Sequence, residues 1–576
     1  MKKTNILLIL ILTILGIVGA CNKDFLDIKP KGGLDETVLA KADGIDKLLI
    51  GAYSMLDGVS SSFGWEAASS NWVYADIRGM VGNKGTDAGD QPDINPIQRF
   101  EESATNPYLN VKWRSVYEAI SRCNSAILVT NNALELGTIT QEEADKFIAQ
   151  ARALRGWFHF EAWRMWRDIP YLDETTDPYT VTNTVDVSDK ILADLEAGTA
   201  LPNDMDQIGR FNGTVCNVLL AKAKMQINHD YAGALTNLNT AKTGTKPDGS
   251  AIGLAPTYGE VFDIVNRNGI EAVYTVQYSV NDGSGAWNAG WGEVLNFPYK
   301  GNGGSPGGCC GFYQATQELV NSFRTSGGLP LLDNSYNNDP VVSDQGLAPG
   351  DPFTPDAGEL DPRLDWTVGR RGIPYWDWGK HTGADWVRDQ SYAGPYSPKK
   401  QVYKKSQEGQ YTEVGNWTSG WTANGYRMIR YADILLLIAE CQIETNDLAG
   451  ARTNINLVRA RAANPAGFVM DGANPAANYV INQYPASGYP FDNQDNARLA
   501  LRMERKLELG MEGHRWFDLN RWGNTVTELN RVLTYERNQA WGNSMYGNAT
   551  VGAEDVTYPI PQRQIDLSKG ALVQNR

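Results

Sequence analysis

Asp230-Tyr-Ala-Gly-Ala-Leu-Thr-Asn-Leu-Asn239 returns as Asp447-Leu-Ala-Gly-Ala-Arg-Thr-Asn-Ile-Asn456, with seven of ten positions identical. In each copy an apolar helical pattern (Thr214 to Asn228, Tyr431 to Thr445) ends in a short turn just before the Asp. A second helical pattern follows it (Tyr231 to Ala241, Leu448 to Ala462). An Asp at that point caps the second helix. The small Ala-Gly-Ala step lets two helices approach closely. The two copies lie about two hundred residues apart, so the repeat predicts helix pairs with a long insertion between them.

This is the tetratricopeptide layout of paired antiparallel helices. Further helices extend it. Val111 to Leu136 carries Trp113, Val116, Tyr117 and Ile120 at core spacing. Thr140-Gln141-Glu142-Glu143 is a capping box, and its helix passes Phe147, Leu154 and Phe158 to about Trp166, with Pro170 beyond. Asp189 to Leu201, Ala497 to Met511 and a last helix near Trp516 to Tyr535 complete the set. From about Pro256 to Asn424 the chain is rich in Gly, Pro, Asn and Trp. There the pattern offers only a short strand at Val273 to Tyr278 and one isolated helix at Leu319 to Phe323. Long ordered loops of this kind usually carry function. The expected fold is mainly α, a helix-pair scaffold with a large loop-rich insertion. Its expected parts are a leader (1–20) and an N-terminal helical region (21–255) with an early loop at about 60–100. A loop-rich, Trp-rich ligand-binding region (256–425) and a C-terminal helical region (426–576) follow.

Composition narrows the function. With 42% hydrophobic and 21% charged residues in a chain of 576, the protein is globular. Acidic residues outnumber basic ones, 67 to 52, for a net charge of −15, which repels phosphate backbones and argues against nucleic acid. Only 4 His occur, and there is no Cys-x-x-Cys or His-Glu-x-x-His, so a zinc site has no support. Gly-x-Ser-x-Gly and the P-loop are also absent. A glycosidase needs two carboxylates at a set separation, which sequence cannot place, and solvated acidic surface is the plainer reading. No catalytic residue and no cofactor is assigned. The turn Asp87-Ala-Gly-Asp90-Gln-Pro-Asp93 has the oxygens that calcium takes, though it does not match an EF-hand, and a solvated loop is the bland alternative.

Lys2 and Lys3, the apolar run Ile6 to Val18, and small Gly19 and Ala20 form a signal-peptide layout. Val18-Gly19-Ala20-Cys21 resembles a bacterial lipobox, which implies acylation of Cys21 and a tether rather than a membrane span. Export favours disulfides. Cys123, Cys216 and Cys441 sit in helical patterns and read as buried thiols. Cys309 and Cys310 are adjacent in Gly307-Gly-Cys-Cys-Gly311, and both a vicinal disulfide and two free thiols stay open.

The aromatic residues speak most directly to a ligand. Of 17 Trp, eight lie between Trp287 and Trp421, where helices are scarce. Trp287, Trp291, Phe297 and Tyr299 sit among Gly, Asn and Ser, and Tyr375-Trp376-Asp377-Trp378 follows Gly372-Ile-Pro374. Trp65, Trp72 and Tyr74 precede Asp76 and Arg78 in the early loop. A flat indole stacks on the apolar face of a sugar ring while Asp, Asn and Arg bond its hydroxyl rim. One stacked ring is worth about 0.5–1.5 kcal/mol beyond area, so useful affinity needs several contacts. Most of the eight Trp are expected to pin loops to the scaffold, Trp366 among them, and two to four to form a platform. The candidate ligand residues are Trp65, Trp72, Asp76, Arg78, Trp287, Trp291, Tyr299 and Trp376.

The C-terminal third carries a family resemblance. Tyr426-Arg-Met-Ile-Arg-Tyr-Ala-Asp-Ile-Leu-Leu-Leu-Ile-Ala-Glu440 resembles the "R-Y-A-D-x-L-L-x-x-A-E" helix of the SusD/RagB family. Ile455-Asn-Leu-Val-Arg-Ala-Arg-Ala462 is similar to its "I-N-x-V-R-x-R-A". The stretch from Arg502 to Trp522 resembles its "R-x-E-R-x-x-E-L-x-x-E-G-x-R-x-x-D-L-x-R-W", and Tyr558-Pro-Ile-Pro561 with Gln574-Asn575 its closing motif. Earlier, Gln150-Ala-Arg-Ala-Leu-Arg155 resembles a helix that usually begins Glu-Ala-Arg, and Arg167-Asp-Ile-Pro170 resembles "G-D-x-P". Cys21 with Phe25-Leu-Asp27 and Pro30 resembles the family's mature N-terminus. Glu504, Glu508 and Glu512 lie at i, i+4 spacing with Arg505 and Arg515 near, which reads as a structural ion network.

The resemblance implies a surface lipoprotein of the outer membrane in Bacteroidetes. Four tetratricopeptide-like helix pairs would support a loop-rich ligand-binding part, seated as a lid on a SusC-like, TonB-dependent barrel. It implies capture of oligosaccharides, or in some members peptides, without catalysis. It places Asp76 and Arg78 in a region resembling the family's polar contacts. Peptide capture, a secreted hydrolase, and a structural transporter lid with no ligand of its own are the competing functions.

Overall fold

The computed structural model describes residues 39–58, 64–299, 304–415, 418 and 420–576. The expected leader and Cys21 lie outside the described residues. The longer helices are α1 (Ala42–Tyr53), α2 (Pro107–Glu135), α3 (Gln141–Trp166), α4 (Ser188–Ala197), α5 (Gly213–Ile227) and α6 (Tyr231–Lys242). After the insertion come α7 (Tyr431–Glu444), α8 (Leu448–Ala462), α9 (Gln494–Leu509), α10 (Arg515–Arg521) and α11 (Thr525–Glu536). Each of α1 to α6 packs on the next, α6 packs on α7, and α7 packs on both α8 and α9. The fold is mainly helical, and the insertion leaves the stack after α6 and returns at α7. The expected last helix is two, because Gly523, at φ 67°, turns the chain between α10 and α11. No helix among the described residues is long and apolar enough to cross a membrane.

The local rules that start these helices are visible. Thr140 and Glu143 form the expected capping box at α3. Asp230 accepts from the N–H of Gly233 and Asp447 from that of Gly450, each at 2.9 Å. The glycine of the repeat serves this cap and not helix approach, which corrects the sequence-based reason. A Cβ on Gly233 would lie 2.1 Å from Asp230 Oδ2, and one on Gly450 2.1 Å from Asp447 Oδ2. Buried Ala234 and Ala451 take the packing instead. An ordinary helical Gly→Ala change stabilises by about 1 kcal/mol. Here Gly233→Ala is expected to be neutral or destabilising, because it displaces a cap worth about 1 kcal/mol. In an Asp230→Ala background the same change should raise the melting temperature. Equal effects in both backgrounds, read by thermal denaturation, would sink this account of the repeat.

A buried ion network joins the insertion to the scaffold. On α9, Glu504 pairs with Arg363 (2.6 Å) and Arg459 (3.0 Å). Glu508 pairs with Arg363 (3.1 Å), Arg430 (3.0 Å) and Arg461. Glu512, just beyond the helix, pairs with Arg430 (2.7 Å) and Lys400 (2.6 Å). The network is structural, as its spacing suggests, but its cations come mostly from other segments. Arg505 turns to Asp433 and Asp518, and Arg515 to Glu528. Short strands add to the join. Ala272–Tyr274 pairs antiparallel with Ile429–Arg430 at the two ends of the insertion, and Gly82–Gly85 pairs with Phe312–Ala315. The first strand stops short of the expected Tyr278, although Val276 N–H still donates to the Tyr426 carbonyl at 2.9 Å.

Candidate ligand-binding surface

The early loop folds inward. Asn71 enters the left-handed region (φ 52°), and Trp72–Ile77 then forms one π-helical turn whose residues are all buried. Trp72 is fully buried against Phe312 and Tyr313, and its indole N–H donates to the Gly292 carbonyl at 3.0 Å. Asp76 accepts from the Tyr313 hydroxyl (2.5 Å) and from the N–H groups of Gly513 (2.6 Å) and Arg515 (3.3 Å). Burial lifts its carboxyl to about 6 despite these donors. Arg78 is buried under Phe100 and Tyr558 and pairs with Glu102 at 2.8 Å. Trp72, Asp76 and Arg78 are therefore core and joint residues rather than ligand contacts. They look like a polar-aromatic site in sequence because they fasten a loop whose partners lie hundreds of residues away. Trp65 is half-buried against the main core.

The acidic turn already holds two cations of the protein itself. The ammonium of Lys84 donates to the carbonyls of Asp90 (2.7 Å) and Ala88 (3.3 Å). Arg388 takes the carboxylates of Asp87 (2.8 Å) and Asp90 (2.5 Å). Asp93 is exposed beside them. Among the described residues no cluster of three or more His, Cys, Asp or Glu is arranged to hold a metal, and the carboxylates of Asp87 and Asp90 are engaged by Arg388 instead. The same Arg388 lies 5.2 Å over the ring of Tyr299. Thus Tyr299 and the acidic turn, far apart in sequence, share one half-exposed surface. Nearby, Cys309 and Cys310 are joined as a vicinal disulfide, and Cys310 N–H donates to the Leu295 carbonyl at 3.1 Å. Cys123, Cys216 and Cys441 are free and buried.

The turn that presents Trp287 is built from local rules. Asp282 accepts from Ser284 N–H (2.9 Å) and from the Asn288 amide (2.9 Å). These hydrogen bonds hold its carboxyl well below the usual range. Gly283 and Gly285 take positive φ, as does Ala286 at 68°. The turn throws Trp287 outward, 58% exposed, and stacks it on Trp291 at 5.1 Å and 24°. Trp291 is buried, donates its indole N–H to the Ala286 carbonyl (2.8 Å), and rests against Trp421 at 5.3 Å. Asn281 ties this turn to Glu413 and Gly409. The result is one exposed indole on two supporting ones.

Trp376 belongs to a different cluster. It packs against Trp366 at 4.9 Å, near Tyr258 and Phe262, with the Lys404 ammonium 5.3 Å over its ring. Trp366 donates to the Gly467 carbonyl at 2.7 Å and is a loop pin, as expected. Phe297, Tyr375, Trp386, Val402 and Tyr403 form a small separate core under the loops. So the structure brings Trp287 and Trp291 together, sets Tyr299 beside the acidic turn, and leaves Trp376 and Trp65 half-buried elsewhere. Sequence reading missed Trp421 and Arg388 as partners, and neither carries a local signal.

Residues 24–222 match a family model described as starch-binding associating with outer membrane. Two SusD-like proteins of Formosa agariphila, P25 and P38, are 23% and 25% identical. The matches cover 95% and 92% of this chain and 94% and 93% of theirs. Surface glycan-binding protein A of Bacteroides thetaiotaomicron, solved in complex with laminarihexaose, shares the fold at a TM-score of 0.64 and 21% identity, over 92% of this chain and 99% of its own. A laminarin-binding SusD-like protein matches at a TM-score of 0.64 and 20% identity, over 93% and 99%. Residues 270–576, more than half of the sequence, match the model of the SusD family, and the chain belongs to the SusD/RagB family.

Proposed function

We propose that this protein captures oligosaccharides at the cell surface and passes them to a SusC-like, TonB-dependent transporter, without chemical turnover. The observation that carries the reading is Trp287, an exposed indole backed by Trp291 and Trp421 on a hydrogen-bonded turn. A hexose ring laid on Trp287 has Asp282, Asn288 and Ser284 in the same turn for its hydroxyl rim. The structural relative solved with laminarihexaose supports a glycan over a peptide. Acylation at Cys21 would tether the protein to the outer membrane, in line with the description of the family model.

The test is a glycan array with peptide controls, followed in the same wells for release of reducing sugar. Binding to a glycan without release is the expected result. Signal on peptides alone, or release of sugar, would overturn the reading. Silence on both would favour the lid role, in which the helical scaffold docks on the transporter and no ligand is held.

A further inference from the structure

Arg167 closes α3 in a conformation that side chains avoid. Its φ of 61° and ψ of −71°, with Asp168 N–H donating to the Trp166 carbonyl at 2.7 Å, make a γ-turn of the rare positive-φ kind. The "G-D-x-P" pattern noted above has glycine at this position, and glycine would meet this φ without penalty. Strain of this sort persists only when the surroundings hold it, and it concentrates at ligand sites. The Arg167 guanidinium lies 3.9 Å over the Trp163 ring. It makes no ion pair among the described residues, whereas the buried Arg363, Arg430, Arg459 and Arg461 are each matched to carboxylates. Burial lowers its pKa to about 10, so it is charged at neutral pH.

Arg167 lines a pocket of about 460 Å³, within the range of small-molecule sites. Asn183 fixes the walls: its amide donates to the carbonyls of Asp168 (3.1 Å) and Val573 (2.9 Å) and accepts from Val573 N–H (2.9 Å). Asp168 and Asp186 complete the polar lining, while Gln574 is held to the backbone of Ile560 and Asn575. Asp186 is held by Ser188 N–H (3.0 Å) and hydroxyl (2.6 Å), and its carboxyl stays below the usual range through these bonds. One unpaired cation in a lining that also holds two carboxylates suits two simple ligands poorly. A bare anion would satisfy Arg167 but leave the acceptor oxygens of the two aspartates without a donor. A neutral sugar would suit the aspartates and leave the guanidinium unpaired. A uronic acid offers both a carboxylate, which a guanidinium binds through two parallel hydrogen bonds, and hydroxyl donors.

We propose that this pocket, at the end of α3 and apart from the Trp287 surface, is a second binding site that takes a hexuronate-bearing saccharide, with its carboxylate on Arg167 and its ring hydroxyls on Asp168 and Asp186. The test is titration calorimetry of the purified full chain in detergent with digalacturonate, against galactobiose and succinate. Digalacturonate is expected to bind at least tenfold tighter than either control and to weaken with salt. Arg167→Gly is expected to lose at least tenfold in affinity while melting at the same temperature or higher, because it removes the strain with the charge. Arg167→Lys should keep part of the binding, and Trp287→Ala all of it. Four results would overturn the proposal: no digalacturonate binding at millimolar concentration, succinate binding as tightly, affinity unchanged in Arg167→Gly, or affinity lost in Trp287→Ala. A lower melting temperature with unchanged binding in Arg167→Gly would make the residue a structural stack on Trp163.

Discussion

Glu508→Gln is expected to destabilise the protein by about 3–5 kcal/mol, the usual cost of breaking a buried ion pair from one side. Three guanidinium groups, those of Arg363, Arg430 and Arg461, converge on this carboxylate. Burial alone would raise its pKa, but Arg461, Arg430 and Arg363 outweigh that and hold it well below the usual range. Gln keeps the shape and removes the charge, so three cations lose their shared anion in a dry site. Arg363 and Arg430 sit in and at the end of the insertion, so the loops should loosen from α9 first, visible as faster hydrogen exchange around residues 361–371. Lys47, in the exposed pair with Asp43 (2.6 Å), is the contrast: its loss should change nothing measurable.

The same network predicts a pH dependence. Glu508, Glu512 and Asp518 all lie below their usual values, with Asp518 at about 2; burial opposes the shift in each case and is outweighed by Arg461, by Arg430 and by Arg505 respectively. A group whose folded pKa is depressed stabilises above its unfolded value of about 4 and loses that contribution as pH falls toward the folded one. Stability should therefore drop below about pH 4, and Glu508→Gln should flatten that acid limb. Asp76 and Glu536 carry the opposite sign. Burial raises them to about 6 and about 8, so their contribution is present at low pH and is lost as pH rises through those values. A melting curve of the variant parallel to that of the wild type from pH 6 to pH 3 would refute the role given to Glu508.

What the sequence made legible was local. The repeat could be read because a cap and the glycine that clears it lie three residues apart, and the helices because their periodicity needs no partner. Trp287 was legible for a similar reason: Gly283, Ser284, Gly285 and Asn288 announce a turn on which an indole has little core to join. The network was legible only as spacing. Arg363, Arg459 and Arg461 approach α9 from more than forty residues away, and nothing near Glu504 or Glu508 names them. Asp76 and Arg78 misled because a buried joint and an open binding site use the same residue types, and only tertiary burial separates them.

That distinction predicts opposite readouts for two tryptophan substitutions and a mixed one for a third. Trp72→Ala should cost about 3–5 kcal/mol of stability, the range for deleting a large aromatic from a core, because it empties the space against Phe312 and Tyr313 and strands the Gly292 carbonyl. What survives of the folded protein should bind glycan as the wild type does. Trp287→Ala should leave stability within about 0.5 kcal/mol, as exposed substitutions do, and weaken glycan binding tenfold or more, about 1.4 kcal/mol. Trp291→Ala should do both, since it supports Trp287 and is itself buried. Melting temperature and glycan affinity measured on the same three samples decide the matter. If Trp72→Ala lost affinity at unchanged stability, the early loop would return as a ligand surface. If Trp287→Ala bound as the wild type does, the indole stack would be no platform, and the glycan would have to be sought at Tyr299 and Arg388.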